Sequence, residues 1–152
     1  MQFSFELTGH GWARATVAGA HSTVELTASY LGDALGDLLR AVADVLDGAS
    51  EAHFTWDEEP GEFRWSLLRR GGDIEVLVTT FAFDEVWDDD QTAFADVVAA
   101  EELALLVSSA ARDTLSQWGE RGYLGRWGHP FPSESLARIG AQISMTGSTE
   151  NP

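Results

Sequence analysis

The sequence predicts an α+β fold, on three observations. Apolar residues alternate with polar ones on both sides of two turn signals early in the chain. A second set of alternating segments flanks Pro60-Gly61 and Gly71-Gly72. Between and after these sets, leucines and valines recur at helical spacing. The expected order is β-β-β-α-β-β-β-α: two antiparallel three-stranded meanders forming one sheet of about six strands, with helices packed on one face, and a split into two sheets as the alternative.

In the first meander Phe3, Phe5 and Leu7 alternate with Gln2, Ser4 and Glu6. Folding back at Gly9-His10-Gly11 sets Leu7 opposite Ala13, Glu6 opposite Arg14, Phe5 opposite Ala15 and Phe3 opposite Val17. A turn near Ala20-His21 sets Val17 opposite Val24, Ala15 opposite Leu26 and Ala13 opposite Ala28. Matched cross-strand pairs of this kind hold an antiparallel register. The middle strand offers only Ala13, Ala15 and Val17 to the apolar face, which leaves room for a helix to lie close.

The first helix follows, with Ser29 as the expected N-cap. Leu31, Leu35, Leu38, Leu39, Val42, Val45 and Leu46 make its stripe, and Gly48 its stop. Asp33, Asp37, Arg40, Asp44 and Asp47 fall mostly on the opposite face, where Arg40 reaches Asp37 and Asp44.

In the second meander, pairing like with like around Pro60-Gly61 sets Trp56 opposite Trp65, Asp57 opposite Arg64, Phe54 opposite Leu67 and Thr55 opposite Ser66. A two-residue turn at Gly71-Gly72 then sets Arg70 opposite Asp73, Leu67 opposite Val76, Trp65 opposite Val78 and Arg64 opposite Thr79. Phe54, Trp56, Phe63, Trp65, Leu67, Val76 and Val78 share one face; Leu68, Leu77, Phe81 and Phe83 lie on the other. The stretch from Thr92 to Ala99 suits either a helix start or a short edge strand. A helix is expected from Ala100 to Trp118, ended by Gly119 and Gly122, and a short one from Ser133 carrying Leu136, Ile139 and Ile143. Residues 1–146 read as a single domain and 147–152 as a frayed tail.

Composition narrows the function. The net charge is -16 on 152 residues, and all nine basic residues are arginine. That charge argues against nucleic acid and anionic membranes, both of which want basic side chains. There is no cysteine, which excludes disulfides and thiolate metal sites. Met1 to Leu7 has neither a basic start nor an apolar run, and no stretch approaches a membrane span, so a cytoplasmic protein is expected.

No catalytic motif is present. His10, His21, His53 and His129 have no metal-ligand spacing, and no serine sits in a nucleophile elbow. The sequence points to no cofactor and no metal. The acidic run Asp84, Glu85, Asp88, Asp89, Asp90 lacks the glycine and closing glutamate of an EF-hand. It reads as a solvated loop, with weak Ca²⁺ binding or a partner contact as the alternatives. A second acidic cluster crowds the hairpin tip at Asp57, Glu58, Glu59 and Glu62.

Three phrases carry a resemblance: Ser29-Tyr30-Leu31-Gly32-Asp33-Ala34-Leu35-Gly36-Asp37-Leu38-Leu39, then Trp56-Asp57-Glu58-Glu59-Pro60-Gly61-Glu62, then His129-Pro130-Phe131-Pro132. With them the chain resembles small uncharacterised acidic α+β proteins of high-GC bacteria, a likeness that implies no activity, cofactor or catalytic residue. In size and acidity it is also similar to immunity proteins that neutralise bacterial toxins.

The leading expectation is a non-enzymatic binding module whose acidic surface docks a basic protein through Asp57, Glu58, Glu59, Glu62, Asp88, Asp89 and Asp90. The first alternative is a small-molecule or enzymatic pocket between sheet and helices, using Tyr30, His53 and Arg64. The second is a homodimer that buries the Leu68, Leu77 and Phe81 face or the aromatic segment from Tyr123 to Phe131.

Overall fold

The computed structural model describes residues 1–81 and 91–148, with side chains through Met145. Its elements are β1 (Gln2–Gly9), β2 (Trp12–Ala18), β3 (Thr23–Ser29), α1 (Ala34–Leu46), β4 (Glu51–Asp57), β5 (Glu62–Arg70), β6 (Asp73–Phe81), β7 (Gln91–Ala99), α2 (Ala100–Trp127) and α3 (Ser133–Ser148). The α+β class holds, but the strands form two antiparallel sheets, β1-β2-β3 and β4-β5-β6-β7, in place of one sheet of about six. The segment from Thr92 to Ala99 resolves as the edge strand β7. Strand order is set by where apolar faces meet, and connection order alone does not specify it. Here Phe5 of β1 meets Trp56 of β4 edge-on, with centroids 6.2 Å apart, so the two sheets share one core.

Every pair expected in the three-stranded sheet is observed, including Glu6 opposite Arg14 and Ala15 opposite Leu26, and the register shifts by one only beyond Leu7, where Gly9 faces Trp12. The β5–β6 hairpin has its expected register too. The β4–β5 hairpin differs by two residues: Phe54 faces Trp65, Thr55 faces Arg64, Trp56 faces Phe63 and Asp57 faces Glu62. Phe54 stacks on Trp65 (5.3 Å, 17° between planes), and Trp56 reaches Trp65 diagonally at 4.9 Å. The reason lies in the turn, where Glu58 N and Glu59 N both donate to Gly61 O, so that it centres on Glu59-Pro60, one residue earlier than like-with-like pairing implies.

Helix α1 begins later than expected. Asp33 is the N-cap, its Oδ1 accepting from Gly36 N at 3.3 Å. Ser29 ends β3 instead, its hydroxyl oxygen accepting from Leu31 N at 3.4 Å. Leu31 therefore lies in the connecting loop, 59% exposed and off the buried stripe. α1 packs on β4 and β5 and on the other two helices, whereas β1 is covered by α2. The small side chains of β2 thus do not seat α1, as the sequence suggests they would.

Helix α2 continues past its expected end. Gly119 adopts φ 67, ψ 171, which breaks the axis, and a second helical segment runs on to Trp127. Tyr123 and Trp127, four residues apart, put their rings on one side of that segment and are fully buried. Gly128, at φ 94, closes it by donating its N–H to Leu124 O. α3 starts at Ser133 as expected, buries Ile139, and continues to Ser148, past the expected start of the tail.

Candidate functional site

After α1 the chain passes Gly48 and returns as β4, an edge strand of the four-stranded sheet. The exposed flank of α1 and the edge of β4 therefore lie side by side. Between them runs an open groove of about 420 Å³. Asp37, Arg40, Ala41, Asp44 and Asp47 line one wall, at spacings that keep them on one side of the helix. Glu51, Ala52, His53 and Phe54 line the other.

The groove is anionic. Asp37 accepts from Arg40 at 2.9 Å. Burial nonetheless pushes the Asp37 carboxyl above its ordinary 3.8, helped by the charge of Asp33 and opposed by Arg40 and His129. Arg138 of α3 donates to Asp44 at 3.0 Å and to Asp47 at 2.6 Å, and Gln142 donates to Asp47 at 2.6 Å. The Arg138 hydrogen bond holds the Asp47 carboxyl below 3.8. Among the described residues Glu51 has only the His53 ring within ion-pair range, at 3.7 Å. Arg40 is the one arginine among the lining residues, beside four carboxylates.

Ser66, His53 and Glu51 form a line across the sheet: His53 Nδ1 is 3.0 Å from Ser66 Oγ, and His53 Nε2 is 3.7 Å from Glu51. All three point to the solvent face, where water screens a carboxylate–imidazole pair strongly. The line fixes the orientation of the His53 ring. It joins through the β4–β5 register, so sequence spacing alone could not find it.

The expected acidic residues at the hairpin tip are partly engaged. Glu62 lies within 3.7 Å of Arg64, and Glu58 accepts from the Thr27 hydroxyl at 3.3 Å. Asp57 is half-buried beside Gly32, where an added Cβ would sit 2.9 Å from its carboxylate. Glu59 is exposed. Asp84, Glu85, Asp88, Asp89 and Asp90, with Phe83, lie outside the described residues.

Of the residues expected in an internal pocket, His53 and Arg64 share the outer face of β4 and β5, and Arg64 lies 4.0 Å over the Phe81 ring. Tyr30 is in the β3–α1 loop, its ring against Gly11 and Gly128 and its carbonyl 2.7 Å from His129 Nε2. The structure thus groups His53 with Arg64 and holds Tyr30 elsewhere. Trp56, Trp65, Phe94, Leu38, Leu39 and Leu103 fill the space between sheets and helices.

The outer face of β5, β6 and β7 carries a shallow hollow of about 560 Å³ lined by Leu68, Leu77, Ala95 and Val97, with Val97 58% exposed. Tyr123, Trp127 and Phe131 are buried within the protomer. Among the described residues no group of acidic or histidine side chains could hold a metal ion, and no helix is long and apolar enough to cross a membrane.

Sequence reasoning missed the α1–β4 groove. Its only signal was the row of aspartates on α1, read there as lying mostly opposite the apolar stripe. No protein-family model, curated protein or solved structure matches this chain.

Proposed function

We propose that the protein is a binding module that docks a basic protein partner in the α1–β4 groove, as an immunity protein or inhibitor would. The observation that carries this reading is the convergence of Asp37, Asp44, Asp47 and Glu51 on one groove, four carboxylates against Arg40 in the lining and Arg138 of α3 at its border. Like charges held together raise the potential in a concave site and favour a cationic occupant. Net charge also favours a basic partner over a second copy, because two chains at -16 each repel. The hairpin tip extends the acidic surface through Glu59.

The test is capture from the native host's lysate at low and at high salt, with wild-type protein and Glu51→Arg in parallel. A basic protein held by wild type at low salt, released at high salt and not held by Glu51→Arg supports groove docking. Equal capture by both proteins removes the groove from the reading.

A further inference from the structure

The free edge of β4 has a definite hydrogen-bonding pattern. Arg69 N donates to Ser50 O at 2.8 Å, which makes Ser50–Arg69 a hydrogen-bonded pair of the β4–β5 ladder. Such pairs alternate along an antiparallel ladder, so Ala52–Leu67 and Phe54–Trp65 are hydrogen-bonded too. The N–H and C=O groups of Glu51, His53 and Thr55 then point away from β5. Among the described residues, no group donates to them or accepts from them.

Edge strands are usually guarded by proline, by a bulge, by inward charge or by a covering element. β1 has the last of these: α2 lies on it, and the Thr114 hydroxyl donates to Phe5 O at 3.4 Å. β4 contains no proline, and its pairing with β5 has no register shift. From Glu51 to Phe54 what borders its edge is the anionic groove, while β3 packs nearby without pairing to it. That charge itself guards against pairing with a second copy, whose own carboxylates would be brought against it, and it leaves the edge open to a cationic strand.

Resting on the docking reading above, we propose that the partner's segment enters the groove as an added β-strand on β4. Its backbone pairs with Glu51, His53 and Thr55, and arginine or lysine at every second position faces Asp37, Asp44 and Asp47. The alternation follows from strand geometry: successive side chains point to opposite faces, and α1 lies on one face only. Main-chain bonds supply affinity in this mode, and the alternate side chains supply the choice of sequence.

The experiment uses the intact protein and two acetylated, amidated peptides of one composition. One alternates arginine with threonine; the other carries its arginines in one block. Backbone amide exchange of Glu51, His53 and Thr55 is followed by NMR as each is titrated. The expected result is binding about tenfold tighter for the alternating peptide, with slowed exchange at those amides. N-methylation of the peptide at one set of alternate residues should weaken binding about tenfold, and at the other set leave it unchanged. Binding that falls with salt and with Glu51→Arg, but slows none of the three amides and ignores N-methylation, overturns strand addition and leaves acidic docking standing. No binding of either peptide at low salt overturns both.

Discussion

The indole Nε1–H of Trp56 donates to the backbone oxygen of Ala34 at 3.0 Å, inside the core. This bond ties β4 to the first turn of α1 and so sets the spacing of the two walls of the groove. Trp65, on the neighbouring strand β5 and the same sheet face, packs against Trp56 and has its Nε1 buried with no partner among the described residues. The same substitution should therefore differ in cost at the two sites. Trp56→Phe loses a hydrogen bond as well as ring area, whereas Trp65→Phe removes an unsatisfied donor. The expected difference is about 1–3 kcal/mol, with Trp56→Phe the less stable in urea unfolding.

The β4–β5 register can be tested covalently, because the chain has no cysteine of its own. Thr55 and Arg64 are directly opposite and not hydrogen-bonded to each other, a geometry with Cα atoms about 4.5 Å apart and within disulfide range. The double variant Thr55→Cys/Arg64→Cys should oxidise to a cross-linked form in mild air oxidation. Asp57→Cys/Arg64→Cys, the pair set opposite by like-with-like reading, sits about 7 Å apart on the diagonal and should stay reduced.

The legible and illegible parts of this fold divide along physical lines. Glu6 with Arg14 and Arg70 with Asp73 lie on tight turns, where charge pairing and turn geometry agree, and both registers could be read. Around Pro60-Gly61 they do not agree. A slip of two residues keeps every side chain on its own face, so Trp56 and Trp65 stay buried together either way and burial cannot choose. The backbone bonds from Glu58 and Glu59 to Gly61 choose instead. Tyr123 and Trp127 have helical spacing, but Gly122 just before Tyr123 and Gly125 between the two mask it. The groove was the least legible feature. It exists because β4 is an edge: β3 does not pair with it, and the two sheets meet instead through their faces, as where Phe5 packs on Trp56, which no local pattern shows.

Gly119 makes the break that turns Tyr123 and Trp127 into the core. At φ 67, ψ 171 it occupies a region that other residues avoid, and an added Cβ would meet none of the described residues within 4 Å. The cost of Gly119→Ala is thus conformational alone, about 1–3 kcal/mol. A thermal melt showing lower stability with native far-UV and near-UV spectra is the expected result. An unchanged midpoint would mean that the break does not depend on glycine.

Two aspartates of the groove should respond to pH in opposite directions. The folded state holds Asp47 below 3.8, through Arg138, so the stability from that contact is present above 3.8 and is lost as pH falls through the lower folded value. Arg138→Met should therefore cost stability at about pH 7, by about 0.5–1 kcal/mol for so exposed a pair, and progressively less towards pH 3. Asp37 is the reverse. Its folded value lies above 3.8 because burial disfavours the charge, so ionisation costs the fold, and that cost disappears as pH falls. Asp37→Asn keeps an oxygen for Arg40 and removes the buried charge. It should be more stable than wild type at about pH 7 and equal to it at about pH 3. Urea unfolding of both variants at the two pH values checks the pair of signs: Asp37→Asn should close its gap from above as pH falls, and Arg138→Met from below.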